Sequence, residues 1–166
     1  MNLHIDLDTK ELNKLFAKIS SSSLLVRIIH EATTFIANTT IDALVDEKSP
    51  YSDTKWKLAP STIAAKIKKY NDVKKPLYAS GNMSGSLRID YGNHSATIAL
   101  NAASKSKDGK KCYYAAVHQF GTNRAGRGRR TTIPARPFMP LTPDGEVMPQ
   151  EIEKIRELIA AILSEI

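Results

Sequence analysis

Residues 24–46 read LLVRIIHEATTFIANTTIDALVD. Apolar side chains recur in this stretch at intervals of three and four residues, which is the spacing of one face of an α-helix. The pattern predicts a long amphipathic helix that ends before Ser49-Pro50, because proline restricts the residue before it to an extended geometry. The apolar positions are Leu25, Ile28, Ile29, Ala32, Phe35, Ile36, Ala43 and Leu44.

Shorter elements are predicted on both sides of this helix. Residues 3–7 alternate apolar and polar side chains, which indicates a half-buried strand. Asp8 and Glu11 then have the spacing of a capping box, and they open a short predicted helix that ends at the serine run 20–23. On the other side, Pro60 suits the first position of another short helix. The apolar face of that helix would be formed by Ile63, Ile67 and Tyr70.

The middle of the chain predicts a small antiparallel sheet. Residues 87–91 and 96–100 alternate apolar and polar side chains, and Gly92-Asn93 lies between them, which is typical of a β-hairpin. A last strand is predicted at residues 131–133. Residues 113–120 have apolar side chains at helical spacing, and Gly121 is placed to end that helix. The polar stretches 104–111 and 123–130 are predicted to be exposed loops, the second of them mobile.

The C-terminal region predicts one more helix, with an isoleucine stripe formed by Ile152, Ile155, Ile159, Ile162 and Ile166. The sum is an α+β fold: a small antiparallel sheet packed on a long amphipathic helix, with a C-terminal helix. Two units are predicted, residues 1–145 as the α+β domain and residues 146–166 as a helix that packs on this domain or on a neighbouring subunit.

Composition and charge narrow the class of protein. With 166 residues and a 42% hydrophobic fraction the chain can bury a core, and its one cysteine, Cys112, leaves no internal disulfide and no cysteine-based zinc site. No apolar run is long enough to suggest a membrane span, and residues 1–10 lack the pattern of a signal peptide. The net charge is −3 over residues 1–53, +13 over 54–145 and −3 over 146–166. Such a basic middle fits nucleic acid, an acidic protein partner or a solvated surface.

The sequence contains no specific catalytic constellation. Cys112 and His118 are six residues apart, which is roughly 600° of helical rotation and places them on poorly matched sides. His4, His30, His94 and His118 show no ligand spacing, so no metal and no cofactor are predicted. The protein is therefore predicted not to be an enzyme, and a cysteine hydrolase that uses Cys112 is the weakest alternative.

The most distinctive chemical feature is a cluster of four arginines spaced by glycines. Guanidinium groups pair bidentately with phosphates, and glycine lets the backbone approach a partner closely. No aromatic residue is interleaved, so contact with nucleic acid would be electrostatic and indifferent to sequence. Ordering of the same segment by a protein partner is the equal alternative. The four residues are Arg124, Arg127, Arg129 and Arg130.

Four short motifs, in this order, resemble those of the phage virion morphogenesis family, the tail-completion proteins of Mu-like and related contractile-tailed phages. They are Trp56-Lys-Leu-Ala-Pro-Ser-Thr-Ile63 with Lys66, Leu77-Tyr-Ala-Ser-Gly81 with Ser86-Leu87, Tyr114-Ala-Ala-Val-His-Gln-Phe-Gly121, and Ile133-Pro-Ala-Arg-Pro-Phe138. The last two are the most specific. The motif residues taken as site candidates are Trp56, Leu77, Gly81, His118, Gln119, Phe120, Gly121, Pro134, Arg136, Pro137 and Phe138.

The chemistry of the residues in these motifs favours structural roles over catalytic ones. Phe120 and Phe138 are predicted core anchors, and Gly121 permits a turn that a larger residue would resist. Arg136 is expected to pair with a carboxylate, either across a subunit boundary or locally. His118 and Gln119 are expected to hydrogen-bond the backbone within their own turn.

The resemblance implies a structural protein of tail completion or termination, made in the bacterial host cytoplasm and located in the virion at the head-proximal end of the tail. It implies a homo-oligomeric ring, often sixfold, around the channel through which DNA passes. The implied partners are the tail tube and head–tail connector proteins, with no membrane and with non-specific DNA contact in the channel. The alternative from the residues alone is a basic nucleic-acid-binding module that acts through the arginine cluster.

Overall fold

The computed structural model of the protein describes Lys14, Ala17 and residues 22–71, 75–77, 83–92, 94–100, 103–105, 111–126 and 128–165. The strand predicted at residues 3–7 lies outside the described residues, as does the following helix apart from Lys14 and Ala17, which are both helical. In chain order the elements are α1 Ser22–Asp46, α2 Pro60–Tyr70, a 3-10 turn Ser84–Ser86, β1 Leu87–Tyr91, β2 Ala96–Leu100, β3 Ala103–Lys105, β4 Lys111–Tyr113, α3 Tyr114–Phe120, β5 Thr122–Ala125, β6 Thr131–Ile133 and α4 Pro149–Ser164.

Helix α1 confirms the prediction of a long helix that ends before Ser49-Pro50. Its inner face is partly polar, since Thr33 and Thr40 are buried beside Ala37 and Ala43. Both hydroxyls are hydrogen-bonded, because Thr33 donates to the Ile29 carbonyl (2.5 Å) and Thr40 to the Ile36 carbonyl (2.9 Å). A threonine can therefore occupy a buried helical position at little cost.

The strands form three separate two-stranded antiparallel sheets, β1–β2, β3–β4 and β5–β6. The predicted hairpin is β1–β2, in which Leu87 pairs with Leu100 and Tyr91 with Ala96. It packs on α1, where the rings of His30 and Tyr91 stack with centroids 3.9 Å apart. The α+β prediction is confirmed, with small sheets in place of a single one.

Both polar stretches that the sequence predicted as loops contain strands. In the first, Ser104 pairs with Cys112, while residues 106–110 lie outside the described part. In the second, Ala125 pairs with Thr131 and Thr122 with Ile133, so the arginine cluster belongs to a hairpin. Alternating apolar side chains indicate a strand that buries one face, whereas an exposed hairpin needs only its backbone hydrogen bonds. Because both stretches are polar, their sequences lack the alternating pattern that would have predicted strands.

The hydrophobic core is centred on Phe138, which is 1% exposed and clusters with Ala43, Met83 and Ala115. Phe120 was predicted as a second core anchor, but its side chain is 47% exposed. Ala115 and Gln119 are the buried residues of α3, four positions apart, and they define its inner face. Phe120 is rotated by roughly 100° from Gln119 around the helix axis, which turns it toward solvent. The half-buried residues around the core are Leu44, Trp56, Leu77, Leu100, Tyr114 and Met139.

Helix α4 confirms the predicted C-terminal helix, and it packs along α1. Ile162 is buried, while Ile152, at the other end of the stripe, is 37% exposed. An exposed ion pair links the two helices, with Arg27 Nη2 2.7 Å from Glu165 Oε2. The division of the chain at residues 145 and 146 stays a prediction.

Candidate functional site: a basic cleft where four motifs meet

The third and fourth motifs are joined by a set of hydrogen bonds around Gln119. This side chain is 4% exposed, and its Oε1 accepts from the backbone N–H groups of Phe138 and Met139, both at 3.0 Å. Its Nε2 donates to the Met139 carbonyl, also at 3.0 Å. The backbone N–H of Arg136 donates to the His118 carbonyl at 2.7 Å. The amide thus reaches a segment 20 residues along the chain, and not its own turn as the sequence predicted.

Gly121 lets the two motifs approach closely. Its backbone has φ 71° and ψ 176°, a conformation that is essentially restricted to glycine. A Cβ atom at this position would lie 2.8 Å from the Ala135 nitrogen and 3.0 Å from the Ile133 oxygen. Both the conformation and the contact therefore require glycine here.

Arg136 connects the first motif to this junction. Its guanidinium Nη2 donates to the backbone carbonyl of Lys57 at 3.0 Å, so within the described residues its partner is a carbonyl and not a carboxylate. Burial lowers the pKa of Arg136, although a guanidinium stays charged at neutral pH. Trp56 and Leu77, from the first and second motifs, pack on the core cluster beside Phe138. Gly81 and Arg127 lie outside the described residues.

The four motifs enclose an open cleft of about 650 Å³. Its cationic side chains are Lys57, Lys66 and Arg136, and none of the described residues that line it is acidic. Helix α2 begins at the cleft with no side-chain cap, so the positive end of its dipole adds to the cationic potential. The apolar part of the lining is formed by Leu58, Ala59, Leu77, Met83, Tyr114, Ile133 and Pro134. The cleft therefore favours a group that carries negative charge beside an apolar surface.

The β5–β6 hairpin extends this cationic surface. Strand β6 lines the cleft, and Arg124, Arg129 and Arg130 on the same hairpin are exposed. Within the described part of the chain none of these three arginines forms an ion pair. The cleft and the hairpin together are called the basic face below.

His118 contributes a buried polar atom to the wall of the cleft. Its Nδ1 is buried and, among the described residues, has no hydrogen-bond partner. Burial, and then the nearby Arg136 guanidinium, lower the pKa of His118 below its usual range. The ring is therefore held neutral near physiological pH and adds no charge to those of Lys57, Lys66 and Arg136.

This lowered pKa predicts that acid destabilises the protein through His118. The unfolded chain binds a proton at higher pH than the folded chain, so the free energy of unfolding falls as the pH drops through about 6.5 and levels off below the folded-state pKa. We expect the Tm to be lower at about pH 5 than at about pH 7.5, and His118→Gln to reduce that difference. Thermal denaturation over this pH range measures it. An unchanged difference in the variant would assign the pH dependence to other groups.

The described residues contain no group of three or more histidine, cysteine, aspartate or glutamate side chains that could hold a metal ion. In the same part of the chain no helix is both long and apolar enough to cross a membrane. The sequence indicated the motif residues but not that they enclose a cleft, because the lining comes from segments up to 79 residues apart. The only signal for Lys57 and Lys66 was their place within the first motif.

A family model, that of the phage virion morphogenesis family, matches residues 7–164 of this chain. The chain belongs to the phage virion morphogenesis family. This assignment confirms the resemblance that the four motifs predicted, and it covers the described helices and sheets as well as the cleft. The role of a member of this family lies in the assembly of phage particles.

The chain is also similar in sequence to the Mu-like prophage FluMu G protein 2 of Haemophilus influenzae. The two sequences are 42% identical over 71 residues, which is 43% of this chain and 44% of the relative. The match therefore spans less than half the length of that protein. No solved structure matches the chain.

Proposed function

We propose that the protein is a structural component of tail completion or termination, which forms a ring at the head-proximal end of the tail tube and enables head–tail joining. The observation that carries the proposal is the convergence of the four family motifs on one cleft. The motif side chains there hold segments together and line a surface, and none is arranged as a nucleophile with a base.

The chemistry of the cleft supports a surface that binds a partner. Cationic groups and an uncapped helix end lie next to apolar side chains, which suits an acidic protein segment that also carries apolar side chains. In this role the protein would contact copies of itself, tail tube proteins and the head–tail connector, and it would be located in the virion. A Cys112→Ser protein should keep full function, and its loss of function would favour the cysteine hydrolase instead.

Deletion of the gene from its phage tests the proposal. We expect heads and tails that fail to join, or tails of abnormal length, as seen by electron microscopy of the lysate. Expression of the wild-type chain from a plasmid should restore joined particles. Normal infectious particles from the deletion would contradict the proposed function.

The second candidate is a nucleic-acid-binding module, which is favoured by the exposed arginines of the hairpin. It predicts DNA affinity in the purified protein that falls steeply with salt, because bound phosphates release counterions. Replacement of Arg124, Arg127, Arg129 and Arg130 by alanine should abolish this affinity. Negligible affinity for DNA near physiological salt would exclude this role as the main function.

A further inference from the structure

An acidic turn at residues 142–146 follows the fourth motif. Its backbone is closed by two hydrogen bonds, from Thr142 N to the Glu146 oxygen at 2.7 Å and from Gly145 N to the Thr142 oxygen at 2.9 Å. The Thr142 hydroxyl also accepts from the Glu146 N–H at 3.1 Å. A β-bridge between Leu141 and Val147 closes its base. These bonds make the turn a fixed projection and not a loose loop.

The turn presents negative charge without internal neutralisation. Pro143, Asp144 and Glu146 are exposed. Within the described part of the chain neither carboxylate takes part in an ion pair. Of the four acidic residues in 137–153, Glu151 is buried and paired with Lys154, and Glu153 is paired with Arg156, so Asp144 and Glu146 are the ones that present charge unpaired within the described residues. Residues 142–146 are called the acidic turn below.

The acidic turn and the basic face are two different, complementary surfaces on one chain. A ring of identical subunits in which each meets the next head to tail requires such a pair, because every contact joins two unlike patches. Opposite charges on the two patches steer the subunits together and disfavour like patches meeting. The opposite charges of the two patches are therefore compatible with a head-to-tail ring of identical subunits.

We propose that the acidic turn of one copy docks into the basic cleft of the next copy, with the arginine hairpin beside it. This inference rests on the proposed ring and names the contact that closes it. Asp144 and Glu146 meet the cationic groups of Lys57, Arg130 and Arg136. Exposed Pro143 covers part of the apolar lining of the cleft.

The apolar lining favours a protein segment over DNA as the occupant. Leu58, Ile133 and Pro134 line the cleft, and a sugar–phosphate backbone has no apolar side chain to bury against them. A turn with a proline between its polar residues supplies both charge and apolar surface. Binding of DNA at the same cations is an outcome that the experiment detects.

Two charge-reversal variants test the contact in the gene-deleted phage. The face variant is Lys57→Glu/Arg130→Glu and the turn variant is Asp144→Lys/Glu146→Lys. All four side chains are exposed, and within the described residues none is in an ion pair, so the fold tolerates the changes. Each variant alone should lower the titre of infectious particles at least about tenfold, because like charges then meet at every contact.

Co-expression of the two variants should restore the titre. Of the three cations placed at the contact, the face variant reverses Lys57 and Arg130 and leaves Arg136, so its contacting groups are net acidic on both patches. Those of the turn variant are basic on both, so alternating copies again bring opposite charges together. One chain that carries all four substitutions should also assemble, since its reversed patches match each other. A change of charge elsewhere would not produce this reciprocal rescue. As a control, Glu31→Lys/Glu157→Lys reverses two other exposed carboxylates and should leave the titre unchanged.

Normal titres from both variants, or failure of both rescues, would overturn the contact. The proposal would also be overturned if the purified face variant loses an affinity for a duplex of about 30 base pairs that the wild type has, and no rescue occurs, because DNA would then be the occupant. These results are separate from the gene deletion. If deletion abolishes joining but the charge variants behave normally, the tail function stands and only the contact fails.

Discussion

Replacing Gly121 with alanine is expected to lower the free energy of unfolding by about 3 kcal/mol or more. The backbone conformation at φ 71° and ψ 176° is strained for any residue with a side chain. The new methyl group would also lie 2.8 Å from the nitrogen of Ala135, which is closer than van der Waals contact allows. Since the obstacle is backbone and not a flexible side chain, the segment 133–135 must move. Urea denaturation of the purified protein measures the loss.

Gly85→Ala provides the matched control for this prediction. An added Cβ at Gly85 meets nothing within 4 Å, and its φ is not positive. We expect no loss and a stabilisation of up to about 1 kcal/mol, because the substitution removes only chain entropy from the unfolded state. Equal effects at Gly85 and Gly121 would show that the close approach at Gly121 does not stabilise the fold. A displaced segment 133–135 should also alter the cleft, since Ile133 lines it.

The long helix could be predicted from the sequence because its apolar pattern reports burial directly, and the next helix because a proline begins it. Helix α1 has an apolar face with helical spacing, and α2 begins at a proline as predicted. In α1 the residues that define the helix also bury it, so local chemistry and tertiary packing agree. In α2 no residue is buried, and Ile67 of the predicted apolar face is 47% exposed, so the proline at its start is the signal that was right.

The arginine hairpin could not be predicted from the same kind of pattern. Residues 122–125 and 131–133 are mostly exposed, so they lack the alternation that marks a half-buried strand. Arg129 has φ 49°, a left-handed conformation that is uncommon for a residue other than glycine, asparagine or aspartate. Neither feature is visible in composition, and glycine with arginine is equally compatible with a mobile loop.

The candidate site was predicted as a set of residues but not as a surface. The motifs contain Lys57, Lys66 and Arg136, yet these residues line one cleft because the fold brings Arg136 to the carbonyl of Lys57, 79 residues earlier. A contact between residues so far apart along the chain produces no periodic pattern in a single sequence. The role of Gln119 was also misjudged, because a polar side chain on a short helix gives no sign of whether it faces solvent or the core.

Replacing Gln119 with alanine is the second change with a large expected effect. Its amide makes three hydrogen bonds to the backbone of Phe138 and Met139, inside a region where Phe138 is 1% exposed. Alanine leaves these two N–H groups without a partner, whereas the Met139 carbonyl keeps its hydrogen bond from the Leu141 N–H at 2.8 Å. Each unsatisfied buried group costs about 1 to 3 kcal/mol, and water that enters the vacated space recovers part of it. We expect a loss of about 3 kcal/mol in the free energy of unfolding.

Gln150→Ala is the control of the same residue type at an exposed position, the first turn of α4. It should change the free energy of unfolding by less than about 0.5 kcal/mol. A small effect at Gln119 would mean that water replaces its amide fully and that the junction of the third and fourth motifs is held by packing alone. A large effect would explain why a glutamine lies between the core and the cleft. The Gln119 amide both accepts and donates, so one side chain can bond the N–H groups of Phe138 and Met139 and the Met139 carbonyl.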